Sequence, residues 1–431
     1  VGNWWSTILP LDVTARRNFL ANLFDGAIYS FGMSFISTST VLPVLVKRLG
    51  GSNLVVGLVP VVWIIGFNFP QIIIANYAGS LTYKKPLLLK TAFIQRVPWL
   101  LLGLSTLFLV EKVNVDLALL IFFVGFASAA VAGSVNLPGW FDLISKLTPL
   151  NIRGRLFAYR TLLGSVMGII GGWSVRMILD TFSFPLNFSL LFFLAFSLMM
   201  ISYLFLLQLK EEEPSPYKVH QNYRIFIRQL PVIIKTQKNF RNFLIGDALL
   251  ISALMADAFY TIAAIQRFHL SDGYAGQFLM VVMISMILGN IFFGYLADHV
   301  GHRLNLIWAA LSIVGACLLA LWSPSVAIYK LVFIFTAFTI SLIQISRLTI
   351  IAELSGENER PTYIALTNLL TSPFILSGII GGWLADRYDY NIVFILSAIL
   401  AGMAALWFVV MVDEPRGRHS PKISFSIFRN R

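Results

Sequence analysis

The chain has 431 residues, of which 58% are hydrophobic and only 12% charged, with a mean hydropathy of +0.80 and a formal net charge of +12. Soluble domains carry about 25% charged residues, so this balance excludes an ordinary water-soluble fold and makes lipid the solvent. A single cysteine, Cys317, excludes an intrachain disulfide and any cysteine-based metal cluster.

At about 20 residues per crossing, apolar runs bounded by charge or turn residues predict spans at 19–46, 53–78, 86–110, 116–143, 154–179 and 185–209. The first run is too long for a signal-peptide core and shows no cleavage site, so it reads as a retained span. One long polar connection follows, Lys210 to Arg241, whose charge and proline content mark a linker. Within it, Tyr223 to Lys235 has the pattern of an amphipathic helix lying on the membrane surface. A second set of runs falls at 243–266, 273–297, 304–322, 326–351, 362–384 and 390–412. The expected fold is therefore all-α, with twelve transmembrane helices in two six-helix bundles. Its parts are an N-terminal segment (1–18), a first bundle (19–209), a linker (210–242), a second bundle (243–412) and a basic tail (413–431).

Twelve crossings place both termini and the linker on one side. That side carries 23 of the 32 basic residues, against seven on the other, with Arg96 and Arg160 inside spans. By the positive-inside rule the termini and linker are cytoplasmic, in the cell (inner or plasma) membrane. The positive charge thus describes a membrane face, and no soluble basic surface remains for nucleic acid.

The two halves echo each other. "GIIGGW" occurs at Gly168 to Trp173 and again at Gly378 to Trp383; "RNFL" begins at Arg17 and at Arg241; Ala75 to Lys85 aligns with Gly294 to Leu304 at an offset of 219. Several short echoes in the same order indicate a duplicated six-span unit. Gly164, Gly168, Gly171 and Gly172 recur at helical spacing, so one face of span 5 is bare, and Gly378, Gly381 and Gly382 repeat this in span 11. Small residues let helices approach closely in lipid. Such a face serves tight packing first, and is compatible with a smooth surface on which two bundles can rock.

The segment from Gly294 through Asp298 and Gly301 to Arg303 resembles the loop motif G-x-L-A-D-x-x-G-x-R/K of the major facilitator superfamily, at its usual place between spans 8 and 9. The glycine-rich stretches and the basic "NIRGR" at the start of span 5 are similar to that family's pattern, and the stretch Glu357 to Leu366 resembles a poorly characterised bacterial branch of it. There are departures. Gly79 replaces the motif acid in the first half, span 4 has no arginine, and the span 5 glycines lack the antiporter motif's proline. The resemblance implies a latch in which Asp298 meets Arg153 or Arg155 across the bundles and closes the cytoplasmic side. It also implies that spans 1, 4, 7 and 10 line a central cavity.

Charges within spans are costly and mark functional candidates. Asp257 lies near the middle of span 7, with Tyr260 and Thr261 beside it, and is the candidate proton carrier. Asp25 sits about two turns inside span 1 on a stripe with Asn18, Asn22 and Tyr29, whose spacing of four, three and four puts them on one face. Arg347, with Gln344 one turn earlier, lies near the end of span 10, and Arg160 lies on the glycine face of span 5. The structural alternative for each acid is an ion pair or hydrogen bond between helices. Arg96, beside Pro98 and Trp99, reads as structural.

No phosphate-binding G-x-x-x-x-G-K-[ST], H-E-x-x-H or G-x-S-x-G occurs, so ATP-driven transport by this chain and the familiar hydrolase arrangements are not expected. His299 and His302 beside Asp298 are too few for zinc, and neither a metal nor a cofactor is expected. The expected function is that of a monomeric secondary active transporter, not an enzyme, working by alternating access on a small molecule with a coupling ion. Proton-coupled efflux of amphipathic or drug-like compounds leads. Sugar or metabolite uptake is the first alternative, and passive movement as a uniporter, channel or lipid scramblase is the second.

Overall fold

The computed structural model describes residues 12–214, 233–355 and 359–415, and every regular element among them is helical. The first half holds α1 (Val13–Ser34), α2 (Val41–Arg48), α3 (Asn53–Ser80), α4 (Lys85–Phe108), α5 (Val115–Leu147), α6 (Leu150–Thr181) and α7 (Leu186–Leu207). The second holds α8 (Lys238–Ala253), α9 (Tyr260–Arg267), α10 (Tyr274–Val300), α11 (His302–Trp322), α12 (Val326–Leu354), α13 (Arg360–Thr371), α14 (Ser377–Arg387) and α15 (Tyr390–Met411). The surface helix expected at Tyr223 to Lys235 falls almost wholly outside the described residues, as does most of the basic tail.

Among the described residues, ten helical segments are long and apolar enough to cross a bilayer. The other two expected crossings are carried by α1, with 22 residues, and α3, with 28. At ~1.5 Å per residue these measure about 33 and 42 Å, against a hydrocarbon core of about 30 Å. The molecule is thus an all-α membrane protein whose layout fits twelve crossings. Its outward-facing side chains suit lipid: Leu288, Ile291 and Phe292 on α10 are each at least 60% exposed.

Local signals set the helix ends. Asp12 caps α1 by accepting from the Ala15 N–H at 2.6 Å, Asn114 caps α5 from Leu117, and Asp389 caps α15 from Ile392. Three predicted spans prove discontinuous. Span 1 is α1 and α2 around non-helical residues 35–40; span 7 is α8 and α9 around a 3-10 turn and residues 257–259. Span 11 is broken at Ser372–Leu376, where Pro373 lacks the N–H an α-helix needs. Non-helical backbone at membrane depth is tolerated where protein buries it or where it borders a cavity. The first two breaks contain neither glycine nor proline, which is why hydrophobic periodicity runs through them.

The duplication is visible in three dimensions. Helices α2 and α9 are both eight residues long, both end in arginine, and are offset by 219. The Asn18 amide clamps the Lys210 backbone, donating at 3.0 Å and accepting at 2.8 Å, and Asn239 clamps Asp413 with 2.9 and 2.8 Å. These matched clamps pair Arg17-Asn18-Phe19 with Lys238-Asn239-Phe240, a register three residues earlier than the "RNFL" echo. The segment after each sixth crossing supplies a further matched device. Glu211 accepts from the Lys84 and Lys85 N–H groups at the start of α4, and Glu414 from the Arg303 N–H at the start of α11.

Between the lobes, α3 packs on α14 and α6 on α10. The glycines make this possible. A Cβ on Gly378 would lie 2.9 Å from the Gly57 carbonyl oxygen, and one on Gly172 would lie 2.8 Å from the Gly276 carbonyl, both in the opposite lobe. Gly168 faces Met283 and Gly382 faces Asn53 in the same way. The remaining ridge glycines turn inward: Gly164 and Gly171 against Ser30 and Ser34, Gly381 against Met255, Phe259 and Val393. Each ridge therefore serves its own lobe on one side and the partner lobe on the other.

Candidate functional site

Two adjoining cavities of about 310 and 460 Å³ lie between the lobes and share Thr38, Trp63 and Gln344 in their walls. The smaller is bordered by all three helix breaks, with Ile375 coming from the break in span 11. Thr38 comes from the break in span 1, and Leu254 and Asp257 from the break in span 7. Broken helices at the membrane midplane, opening onto a cavity at the repeat interface, are the usual construction of a transport site. Around Asp257 stand Tyr260, Thr336 and Thr339, with Ile64, Ile313, Ile340 and Ile343 as apolar walls.

The Asp257 carboxyl group has no hydrogen-bond or ion-pair partner among the described residues, although its backbone N–H donates to the Leu254 carbonyl. Its neighbours are otherwise engaged. The Tyr260 hydroxyl meets the Cys317 thiol at 3.2 Å, and Thr261 reaches across the lobes to donate to the Ser39 carbonyl at 3.2 Å. Thr336, 6% exposed, has a hydroxyl with no partner among the described residues.

The other membrane acids are paired. Asp25, 3% exposed, receives Arg160 at 3.1 Å and the Ser202 hydroxyl at 2.6 Å. The Arg160 guanidinium also donates to the carbonyl and side chain of Asn22 and lies 4.7 Å from the Trp140 ring centre. Ser202 receives a hydrogen bond at 3.2 Å from Arg96, whose other donors go to the Met199 and Ala92 carbonyls. Tyr29 accepts from Gln95 at 2.8 Å. The Asn18, Asn22, Asp25 and Tyr29 stripe therefore faces the interior of its own lobe. Arg160 stands between it and the cavity, and lines the larger cavity itself with Ser30, Thr161 and Ser165.

In the second lobe, Arg347 grips fully buried Asp247 through Nε at 2.8 Å and Nη2 at 2.8 Å, and also binds Asn368 and Thr371. It thus locks α12 to α8 and α13 instead of reaching the cavity, whereas Gln344, one turn earlier, lines both cavities.

The loop-motif residues lie at the face of the chain ends, where the described residues begin, at Asp12, and finish, beyond Glu414. Gly301 adopts φ +103°, a left-handed turn that a side chain would strain, whereas a Cβ added at Gly294 would point into open space. The Arg303 guanidinium binds the Phe408 and Val409 carbonyls at the end of α15, within its own lobe. Asp298 and Arg155 are exposed, and Arg153 turns to the carbonyls of Ser145 and Thr148, so this conformation does not bring Asp298 to Arg153. His302 is buried against the Ser346 hydroxyl at 3.1 Å, and the His299 ring lies tilted against that of Tyr295.

Polar ties between the lobes cluster at the opposite face. Arg48 forms a two-point pair with Asp272 at 2.6 and 3.1 Å. Asp386, at the end of α14, accepts from the Asn53 and Leu54 N–H groups that open α3, at 2.7 and 2.8 Å. Asp180, near the end of α6, accepts from Ser271 just before α10 at 2.7 Å, and Tyr390 donates to Asn53 at 2.8 Å. Sequence reasoning missed this closure. Its available signal was Trp383-Leu-Ala-Asp386, which repeats the Leu-Ala-Asp of the loop motif at the end of a span that finishes on the opposite face.

The family model for the Major Facilitator Superfamily matches residues 26–375 and 248–430. No curated protein sequence matches the chain. Among solved structures, a mutant of the nucleoside transporter NupG is similar with a TM-score of 0.72 at 14% identity, covering 93% of this chain and 100% of the other. A POT family transporter in complex with a thioalcohol-conjugated peptide gives 0.71 at 12% identity, covering 91% and 96%. A D-xylose-proton symporter gives 0.68 at 14% identity, covering 94% and 99%. At these identities the likeness is one of fold, while the family match spans nearly the whole chain. The chain belongs to the Major Facilitator Superfamily and is a multi-pass membrane transporter.

Proposed function

We propose that this transporter moves a small amphipathic molecule by proton-coupled alternating access, in the direction of export, with the face bearing the chain ends in the cytoplasm. The observation that carries the reading is Asp257, a carboxyl group without a partner among the described residues, at the wall of a cavity shared by both lobes. A group that can be charged or neutral there can exchange a proton for a substrate as the cavity changes sides. The bare glycine ridges support a rocking motion, and the polar ties at the far face support a state open towards the chain ends. Opening the far face would then bring Asp298 towards Arg153 or Arg155 as the opposite closure. The apolar walls favour an amphipathic substrate, while Thr38, Thr336, Thr339 and Gln344 are the features that would suit a sugar or metabolite.

The test is flux in vesicles driven by an imposed pH gradient. The wild-type chain should accumulate substrate against its concentration gradient, and Asp257→Asn should retain downhill exchange while losing uphill movement. Uphill transport by the variant with unchanged pH dependence would remove Asp257 as the coupling group. Flux that never exceeds equilibrium in the wild type would select a passive carrier.

A further inference from the structure

We propose that the cavity between the lobes binds an organic monocation, with its charge on Asp257 and its apolar body against Trp63, Ile313, Ile340 and Ile343. The proposal deepens the transport reading and rests on it for the location of the site, but not for the direction or the energy source.

Charge balance carries the inference. Of the membrane-embedded acids, Asp25 is matched by Arg160 and Asp247 by Arg347, both at hydrogen-bonding distance. Asp257 has no such match among the described residues. Among the described residues the one cation lining the cavities is Arg160, already paired with Asp25 and tethered to Asn22, while Arg96, which joins that network through Ser202, lines neither cavity. An ionised Asp257 therefore leaves the site with one uncompensated negative charge, which a single positive charge would neutralise. A buried charge left uncompensated is expensive, so the site is stable in two forms: protonated and empty, or ionised and holding a cation. An anionic ligand would find no unpaired positive partner among the described residues of this lining.

The walls say what the cation carries. Trp63 borders both cavities and is held in place by rings of Phe67, Trp99 and Phe126, with centroids 6.0, 6.4 and 5.5 Å away. An indole ring fixed in the wall gives the apolar body of a cation a rigid aromatic surface to pack against. The Thr336 hydroxyl, buried without a partner among the described residues, offers one hydrogen bond to a polar substituent. With about 310 Å³ in the compartment beside Asp257, the ligand is drug-sized or smaller. Binding is an exchange: the cation enters as the carboxyl group releases one proton, so ligand and proton compete for the same oxygen atoms.

The test uses a pair of probes with the same shape and different charge, (4-hydroxyphenyl)trimethylammonium and 4-tert-butylphenol. Both are titrated calorimetrically into the purified full-length chain in mild detergent, with protein-free micelles as the blank. The cation should bind at least about tenfold more tightly than its neutral twin. Its affinity should rise with pH, by up to about tenfold per unit while the carboxyl group is protonated, and buffers of different ionisation enthalpy should report release of up to one proton. Asp257→Asn should remove the preference and the proton release, and Asp257→Glu should keep both. Equal affinity for the two probes, no binding of either, or cation binding without pH dependence would each overturn the proposal. If Asp257→Asn does not fold, the probe pair and pH series on the unaltered chain decide it. Gradient-driven accumulation of a neutral substrate alongside failed cation binding would leave the transporter reading standing and this inference refuted.

Discussion

Each lobe ties its first span to a later one through a buried ion pair, Asp25 with Arg160 and Asp247 with Arg347, and the two should differ in what each contributes. Arg347→Met would leave Asp247, fully buried, with its strongest contacts gone: the structure gives that carboxylate three bonds from Arg347, at 2.8, 3.1 and 2.8 Å. Stripping one partner from a buried pair costs about 3–5 kcal/mol. Arg160→Met removes a single 3.1 Å contact from Asp25, which keeps the Ser202 hydroxyl at 2.6 Å with Arg96 beyond it. Loss of one hydrogen bond to a charged group costs about 1.5–3 kcal/mol. The expected gap of ~1.5–2 kcal/mol corresponds to more than a tenfold difference in unfolding equilibrium. Unfolding in mild detergent against increasing dodecyl sulfate, followed by tryptophan fluorescence, reads both variants on one scale. The double variant Asp247→Asn/Arg347→Met should recover at least half of the loss, because the stranded charge has been removed with its partner. If Arg160→Met were as damaging as Arg347→Met, or the double variant no better than the single, the charge-stranding argument would be wrong.

Three further perturbations address the movement of the lobes. Asp386→Ala removes two hydrogen bonds at the start of α3, worth about 1–2 kcal/mol by analogy with helix capping, and should shift the balance towards an open far face by about 5- to 30-fold. Spin-label distances between cysteines placed at Lys112 and Ala327 would show it, and the native Cys317 is fully buried and leaves the labelling clean. Gly378→Leu must displace the Gly57 backbone, so it should weaken far-face closure and cut flux, whereas Gly402→Ala, with nothing within 4 Å, should do neither. Asp298→Asn should leave the closed far face described here unchanged while reducing the population open on that side, and an unchanged distance distribution with unchanged transport would dismiss the latch.

The fold was legible because its signals are coarse and repeated: apolar runs of membrane length, a polar linker between two sets of six, and glycine stretches that recur. What stayed hidden depended on side-chain direction. Helical spacing correctly grouped Asn18, Asn22, Asp25 and Tyr29 on one face, but spacing cannot say whether that face meets a cavity or another helix of the same lobe. Gln95, Arg160 and Ser202 decide the matter from three other helices. Arg96 read as structural, and its bond to Ser202 makes it part of the support for Asp25. The breaks in spans 1 and 7 were invisible because no glycine or proline marks them. Tertiary contacts, such as Thr261 on the Ser39 carbonyl, satisfy the backbone that the missing helical turns leave open.

Those breaks show how a symmetric scaffold can hold an asymmetric site. The offset of 219 that relates α2 to α9 also relates Thr38 to Asp257, and both line the same cavity. At one pair of equivalent positions the first lobe thus presents a hydroxyl and the second a carboxyl group. Elsewhere the repeat keeps its matched parts: the asparagine clamps, the glutamate caps and the glycine ridges all occur twice. The duplicated features are those that let the lobes fold and slide, which both halves require. A titratable group is needed only once, because a second carboxyl group opposite the first would raise the charge that each occupant must neutralise. Thr38→Asp would impose that second acid, so it should strengthen binding of a divalent organic cation relative to a monovalent one. An unchanged ratio between the two would mean that the Thr38 and Asp257 positions do not share one occupant.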